Sequence, residues 1–459
     1  LIIVSESWRM GMALSYMDSP NDNQRSPPLQ HSCNKLEISV AAFPKDLADV
    51  VFKRWPHMVG GDYVTPPCPP LQLLEQLLDV SYLTASAPEE ARYPSFNIVA
   101  LAENSTKTPS PVGPVYEFAS SRPLSVGELR RLAPATDSKK SAILAFWNEQ
   151  EWSIAGLIDL GTSWHRARTG LEYRYRDPRG LFVQVDRPGR LRVYQGGFLV
   201  ATLTDGVIET GRMDYNVFLH EPANAGLGRM SEEIDYPEYE HPREYRDFEF
   251  IAMWNTYAAI ANAISLAGHG GMLIIKAGDT KIDPGIIKIK YETDAGTLRA
   301  SFIDFMNRRN VLGDYESLDE DGHLVPEGAL YKAVGEMKDS YESLVEATRF
   351  VAGLSGCDGS IVISDDLRLL GFGAEIRAEI RQDINIFEVN DEFRRKYKRC
   401  DIEQFGMRHR SAVKLASRDY DCRILVVSQD GPISAVWWEK DRVLVKKGVH
   451  LVNMNIPWA

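Results

Sequence analysis

The chain has 459 residues, 44% hydrophobic and 25% charged, which excludes a mainly disordered, collagen-like or fibrous protein and leaves room for two or three folded domains. Its 52 Lys and Arg against 64 Asp and Glu give a net charge of −12, the opposite sign to a general nucleic-acid coat or membrane-surface binder, so an anion site must be a local basic patch. The five cysteines, Cys33, Cys68, Cys357, Cys400 and Cys422, form no CxxC pair and no Cys/His cluster at zinc spacing, which predicts a reducing, cytoplasmic setting without structural zinc.

In chain order, Leu1 to Met17 lacks the basic region and small-residue cleavage site of a secretory signal. Residues 18–35 are polar and Pro-bearing, so 1–35 reads as a disordered tail with folding expected from about Leu36. Residues 36–120 read as an α/β region. Leu47 to Trp55 has a helical pattern, prolines break the chain over 65–70, and Leu71, Leu74, Leu77, Leu78 and Val80 recur at helical spacing. Residues 96–102 (FNIVALA) form a strand candidate.

Over 121–215 the pattern changes to short apolar runs (AILAFW, SIAGLIDL, LFVQV, LRVYQ, FLVATL, VIE) divided by Gly, Pro and Asp, which predicts a small antiparallel β-domain of six strands. An acidic connector is expected over 216–247, because residues 231–248 hold seven acids, two bases and two prolines. From 248 to 450 strands and helices alternate: a helix over 248–266, a buried strand over 270–276, a helix over 329–354, and strands near 361–364, 367–373, 423–428 and 433–438. This predicts a mixed sheet flanked by helices, with 451–459 as a tail. The most apolar stretch, 248–266, is interrupted by Glu249, Asn255, Asn262 and Ser265, so no membrane span is expected.

Charge singles out one segment. Between Arg394 and Lys414 there are eight bases and two acids. Within it Gly406 precedes Met407, Arg408, His409, Arg410 and Ser411, where a loop turns into a predicted helix. Free N–H groups and the positive dipole end of a helix attract phosphate, and two Arg forks add charge-assisted bonds. A solvated basic face is the competing reading, and it fits Arg394 to Arg399. The second constellation is Gly356, Cys357, Asp358, Gly359 and Ser360 before a buried strand. A carboxylate there can reach a ribose hydroxyl or a metal, and Gly359 permits close backbone approach. A plain Asp-Gly turn is the competing reading.

Taken together, AspGlySer (358–360), ArgHisArgSerAla (408–412) and ValValSer (426–428) resemble the diadenylate cyclase domain, whose hallmarks are Asp-Gly-Ala and Arg-His-Arg. Residues 270–275 stand where that fold has its first core strand, so this resemblance covers about 250–450. The stretches PPLQLLEQLLDVSYLTASAPEEARYPSFNIV, LSVGELRRLAPATD and PGRLRVYQGGFLVATL, with LLGFGAEI and VVSQDG, look closer to the bacterial DACNV group. These are cyclase-like proteins regarded as probable sensor domains, and the likeness spans roughly 40–445.

The resemblance implies that Arg408, His409, Arg410 and Ser411 hold phosphates, and that Asp358, Gly359 and Ser360 meet the ribose. Asp358 would also bind Mg²⁺ or Mn²⁺ if the domain were catalytic, as in the cyclases, where two protomers face each other and the 3′-hydroxyl of one ATP attacks the α-phosphate of the other. This chain departs from that pattern: Gln429 stands where the cyclases carry a metal-binding Glu, and Ser360 replaces Ala. Asp430 and Glu375 are the alternative carboxylates. The expectation is a nucleotide-sensing protein that binds ATP or a cyclic dinucleotide without efficient turnover. The alternative is an active diadenylate cyclase with Asp358 in the catalytic role. Implied partners are the nucleotide, a second copy through the cyclase-like domain and an unidentified downstream protein, with neither DNA nor membrane.

Other signals carry less. Residues 319–323 (DEDGH) fail the EF-hand spacing at Ser317 and Gly328 and read as an acidic loop. His165, beside Trp164 and Arg166, reads as structural, and Trp437 and Trp438 read as core or interface. The chain holds no GxSxG, Walker A, HExxH or GxGxxG motif.

Overall fold

A computed structural model describes residues 41–57, 65–88, 93–103, 113–161, 180–196, 198–210, 218–236, 242–278, 281–320, 325–326, 328–389, 397–429, 433–449 and 451. The expected tail 1–35, His165, Asp430 and the end of the acidic loop at 321–323 lie outside these residues. The chain divides into two compact units, one of residues 1–161 and 177–210, the other of residues 162–176 and 211–459. Both are mixed α/β.

The first unit packs three helices on one face of an eight-stranded sheet. Helix α1, Pro44–Arg54, starts where Pro44 fits the first helical turn and Asp46 accepts a hydrogen bond from the Phe43 amide at 2.8 Å. Helix α2 spans Leu71–Ser86, and α3, Val126–Leu132, is capped by Ser125, whose hydroxyl accepts from the Glu128 amide. The strands are β1 Phe96–Ala102, β2 Val115–Pro123, β3 Ser141–Trp147, β4 Trp152–Asp159, β5 Leu181–Arg187, β6 Arg190–Gln195, β7 Phe198–Thr204 and β8 Val207–Thr210.

Their order is β2-β4-β3-β1-β5-β6-β7-β8, antiparallel throughout except for the parallel pair β1/β3. The six strands expected from the sequence are all present, and β1 and β2 from the other side of residue 120 join the same sheet. Every second residue of β1 and β5 (Phe96, Ile98, Ala100; Leu181, Val183, Val185) faces the leucines of α2, namely Leu73, Leu74, Leu77 and Leu78. Burial of each of these side chains other than Ala100 contributes about 1.5–3 kcal/mol. The Trp152 indole, also in this core, donates to the Leu73 carbonyl at 2.8 Å and fixes α2 on β4.

The second unit holds a ten-stranded mixed sheet. Its strands are β9 Gly271–Lys276, β10 Ile287–Lys288, β11 Tyr291–Ala295, β12 Ser360–Ser364, β13 Leu369–Ile376, β14 Asn385–Val389, β15 Tyr397–Cys400, β16 Cys422–Val427, β17 Ile433–Glu439 and β18 Arg442–Val449. The order is β10-β13-β12-β9-β16-β17-β18-β14-β15, with β11 also paired to β13. Strands β9, β12 and β16 are buried along their whole length, which explains their continuous apolar sequences.

Leu273, Ile275, Ile361, Ile363, Leu425 and Val427 point to one face, against α5 Pro242–Ala267, α6 Thr297–Glu320 and α7 Ala329–Gly353. Met272, Ile274, Val362, Ile424 and Val426 point to the other face, against α8 Met407–Ala416. Helix α5 is long and apolar enough over Phe248–Ala267 to cross a membrane, yet Met253, Trp254, Tyr257, Ile260 and Ile264 are core residues of this unit.

Inside the stretch read as an acidic connector, His220–Met230 is a helix, α4. Ala223, Leu227 and Met230 bury one face of it, and Gly226 lets its backbone close on the β12–β13 turn, because a Cβ there would sit 2.0 Å from the Asp365 carbonyl oxygen. The acidic stretch at 319–320 is the end of α6 rather than a loop. Trp437 is core, stacked on Phe218 at 5.7 Å, and Trp438 stacks on Tyr420 at 4.4 Å.

Candidate functional site at one end of the second sheet

The two sequence motifs reach one sheet end by register. Strand β12 runs parallel to β9 with Ile361 opposite Leu273, and counting that register back places Asp358 beside Gly270. Strand β16 runs antiparallel to β9 with Val427 opposite Gly271, so Ser428 and Gln429 emerge on the other side of Gly270. Helix α8 begins above this edge. A Cβ on Gly270, whose φ is +66°, would lie 2.7 Å from an Arg408 guanidinium nitrogen, 2.8 Å from the Val427 carbonyl oxygen and 2.9 Å from the Gln429 amide nitrogen. Glycine is needed there because an L side chain would both strain the backbone and push Arg408 away.

On the β12 side, Asp358 is exposed in the turn that follows a short 3-10 segment, Leu354–Gly356. Gly359 has φ +122°, and a Cβ on it would lie 2.6 Å from the Gly373 carbonyl carbon. Two glycine backbones therefore cross where β12 meets β13. A Cβ on Gly373 would in turn lie 3.3 Å from Tyr291, 3.4 Å from Lys290 and 3.5 Å from the Asp358 carbonyl oxygen. The Tyr291 ring is 45% exposed, is backed by Phe372 at 4.8 Å and has Lys290 Nζ 5.1 Å from its centre. Its exposed part borders the Asp358 turn. Local pattern carries no sign of this, because Tyr291 reaches the turn only through the pairing of β11 with β13.

The three residues of ArgHisArg separate. Arg408 is exposed and donates to the His269 carbonyl oxygen at 3.2 Å, over Gly270. His409 turns inward, stacked on Phe405 at 6.2 Å with Nε2 2.9 Å from the Ser434 hydroxyl. Burial, reinforced by the nearby Lys447 charge, holds its imidazole below the ordinary range, which favours the neutral ring. Arg410 pairs with exposed Glu403 at 2.9 Å, and Ser411 is half-buried in the second turn. Ser360 is buried at the start of β12 opposite Ala374. Asp358, Gly359 and Arg408 thus share the sheet end, while His409 anchors the helix.

For a divalent cation the donor set is thin. Among the described residues no group of three or more His, Cys, Asp or Glu side chains is placed to hold a metal. Asp358 is the carboxylate of the turn, and the Gln429 amide brings no charge. Glu375, on β13, is paired with Arg377 at 3.4 Å.

The sequence of the first unit matches a known family. Residues 63–159, which contain α2, α3 and β1 to β4, match the family model of a sensor domain. That family is described as "Probable sensor domain DACNV". Neither the curated proteins nor the solved structures hold a match to this chain.

Proposed function

We propose that this chain is a nucleotide sensor whose second unit, a cyclase-like domain, binds ATP or a cyclic dinucleotide at the sheet end formed by Asp358, Gly359, Gly270 and Arg408, without efficient turnover. The observation that carries the reading is that Arg408 lies over Gly270 at the end of β9, the end at which neighbouring β12 leaves the Asp358 turn, although 50 residues separate Asp358 and Arg408 in sequence. A guanidinium at a helix start suits a phosphate, and a carboxylate in a turn suits a ribose hydroxyl. The match of residues 63–159 to a sensor domain supports the signalling role.

Slow turnover follows from charge. Phosphoryl chemistry needs charge stabilised more strongly in the transition state than in the ground state, and Gln429 cannot give a Mg²⁺ or Mn²⁺ ion what a carboxylate would. His409, engaged with Ser434, positions the helix rather than touching the ligand.

The test is mass spectrometry of nucleotides after incubating the purified chain with ATP and Mn²⁺, with Asp358→Asn in parallel. ATP recovered bound and unchanged is the expected result. Cyclic di-AMP that disappears in Asp358→Asn would establish the active cyclase instead. Absence of any bound adenine nucleotide or cyclic di-AMP would overturn both readings.

A further inference from the structure

The far end of β12 carries a second charged site. A five-residue strand spans about 17 Å, so the residues that follow Ser364 stand well away from the Asp358 turn. There a cleft of about 730 Å³ opens between α4, the start of α6 and the β12–β13 turn, all within the second unit. Three arginines line it, Arg229, Arg299 and Arg368, together with Gly296 and Ala300 from the first turn of α6.

The charges are arranged in two tiers. The inner tier is buried: Asp365, with 2% side-chain exposure, pairs with Arg229, and Asp366, with 5%, pairs with Arg299 at 3.2 Å and Arg368 at 3.3 Å. Asp366 also accepts from the Ser364 hydroxyl. Two buried carboxylates thus orient these three guanidinium groups at the floor of the cleft. The outer tier is solvent-exposed: Glu233, at 54%, grips Arg299 through both oxygens at 2.6 and 2.7 Å, and Asp294, at 67%, lies 3.6 Å from Arg368. The other rim acid, Asp304, is paired with Arg308 at 3.5 Å.

Helix α6 adds to this field. It is 24 residues long, begins at Thr297 with no acidic residue in its first turn, and lines the cleft along one side, with Gly296 at its positive N-terminal end. A Cβ on Gly296 would meet nothing within 4 Å, so there is room at that helix start.

From these features we infer that the cleft binds the phosphoryl group of a small phosphomonoester, which replaces Glu233 on Arg299 and rests against the start of α6. The exchange replaces one carboxylate on Arg299 with a dianion that an Arg fork and helix amides hold through several charge-assisted bonds. The buried aspartates keep the forks aimed into the cleft whether or not it is filled. The volume exceeds that of a bare phosphate and leaves space for the rest of an ester beside Ile303 and Asn307. The inference is independent of the nucleotide reading, since it rests on the opposite end of β12.

The experiment uses the full chain carrying Arg408→Ala, which removes the first site's guanidinium, and titrates inorganic phosphate and ribose 5-phosphate by calorimetry. Both probes are expected to bind, the ester more tightly. Adding Glu233→Gln removes the internal competitor and is expected to tighten both by about three- to five-fold. Adding Arg299→Gln, with folding checked by circular dichroism, is expected to abolish binding. A purely structural network predicts instead that Glu233→Gln leaves affinity unchanged, and that result, or no binding of either probe, overturns the inference. Equal affinity for the two probes would assign the cleft to free phosphate and overturn the ester.

Discussion

Arg408 lies across Gly270 and donates to the carbonyl oxygen of His269, so its guanidinium is held at the sheet end by backbone contact rather than by a carboxylate partner. Arg410, two residues on, is occupied by Glu403. The two arginines of one motif are therefore unequal. Arg408→Ala is expected to weaken ATP or cyclic di-AMP binding by about ten-fold or more, the worth of a charge-assisted hydrogen bond, whereas Arg410→Ala is expected to change it by less than about three-fold. Isothermal titration of the two single variants checks this, and equal losses would contradict the assignment.

Gly359 sits at φ +122°, and a Cβ on it would lie 2.6 Å from the Gly373 carbonyl carbon. Gly359→Ala adds a methyl group where the neighbouring atoms are backbone and cannot rotate away. The expected loss is about 2 kcal/mol or more of unfolding free energy, read by urea denaturation, from backbone strain and the clash together. Gly296→Ala at the start of α6 meets open space and serves as the tolerated control.

His409 links stability to pH. Its folded-state pKa is lowered from 6.5, first by burial and then by Lys447, so in acid the unfolded chain takes up this proton more readily than the folded one. The contribution is fully present above 6.5 and is lost as pH falls through the folded value. His409→Gln keeps a hydrogen-bonding group near Ser434 but cannot titrate. It is expected to flatten the loss of stability between pH 7.5 and 5 in otherwise matched denaturation curves. An unchanged slope would show that other groups govern it.

The described cysteines differ in reach. Burial pushes the Cys68 thiol up to about 12 and raises Cys422 well above its ordinary value, with Asp419 adding to the effect there. Cys357 is exposed and directly precedes Asp358. Brief treatment with iodoacetamide at pH 8 is therefore expected to modify Cys357 ahead of Cys68, Cys400 and Cys422, as mapped by peptide mass spectrometry. Saturating nucleotide should slow the Cys357 reaction alone, and no protection would place the ligand elsewhere.

The sequence made some of this legible and concealed the rest for physical reasons. Strands β9, β12 and β16 were readable because both their faces are buried, which demands an unbroken apolar run. The first unit's strands were readable from turn chemistry, since Gly189 and Gly206 adopt φ of +75° and +82° in tight hairpins. Helix α6 was not, because Phe302, Phe305, Met306 and buried Asn310 are interleaved with Arg308 and Arg309 around the helix, leaving no clear apolar stripe. The basic run at 408–410 marked the right helix, but which residue faces the sheet end depends on helical phase. One residue is a turn of about 100°, enough to send His409 into the core and Arg410 to Glu403. Tyr291 and the three-arginine cleft depend on contacts distant in sequence, beyond the reach of local pattern.

The margins of the ten-stranded sheet limit how two such units can associate. At one margin stand β10, two residues long, and β11, five residues long with Glu292 and Asp294; at the other stands β15, four residues long with Lys398 and Arg399. Short, charged outer strands are poor templates for a further strand, because a new neighbour would have to align few amides, and pairing the same margin of two copies would bring like charges together. Copies of this unit that meet in solution are thus steered away from continuous sheet formation and toward contact through loops and helix ends, where separation remains reversible.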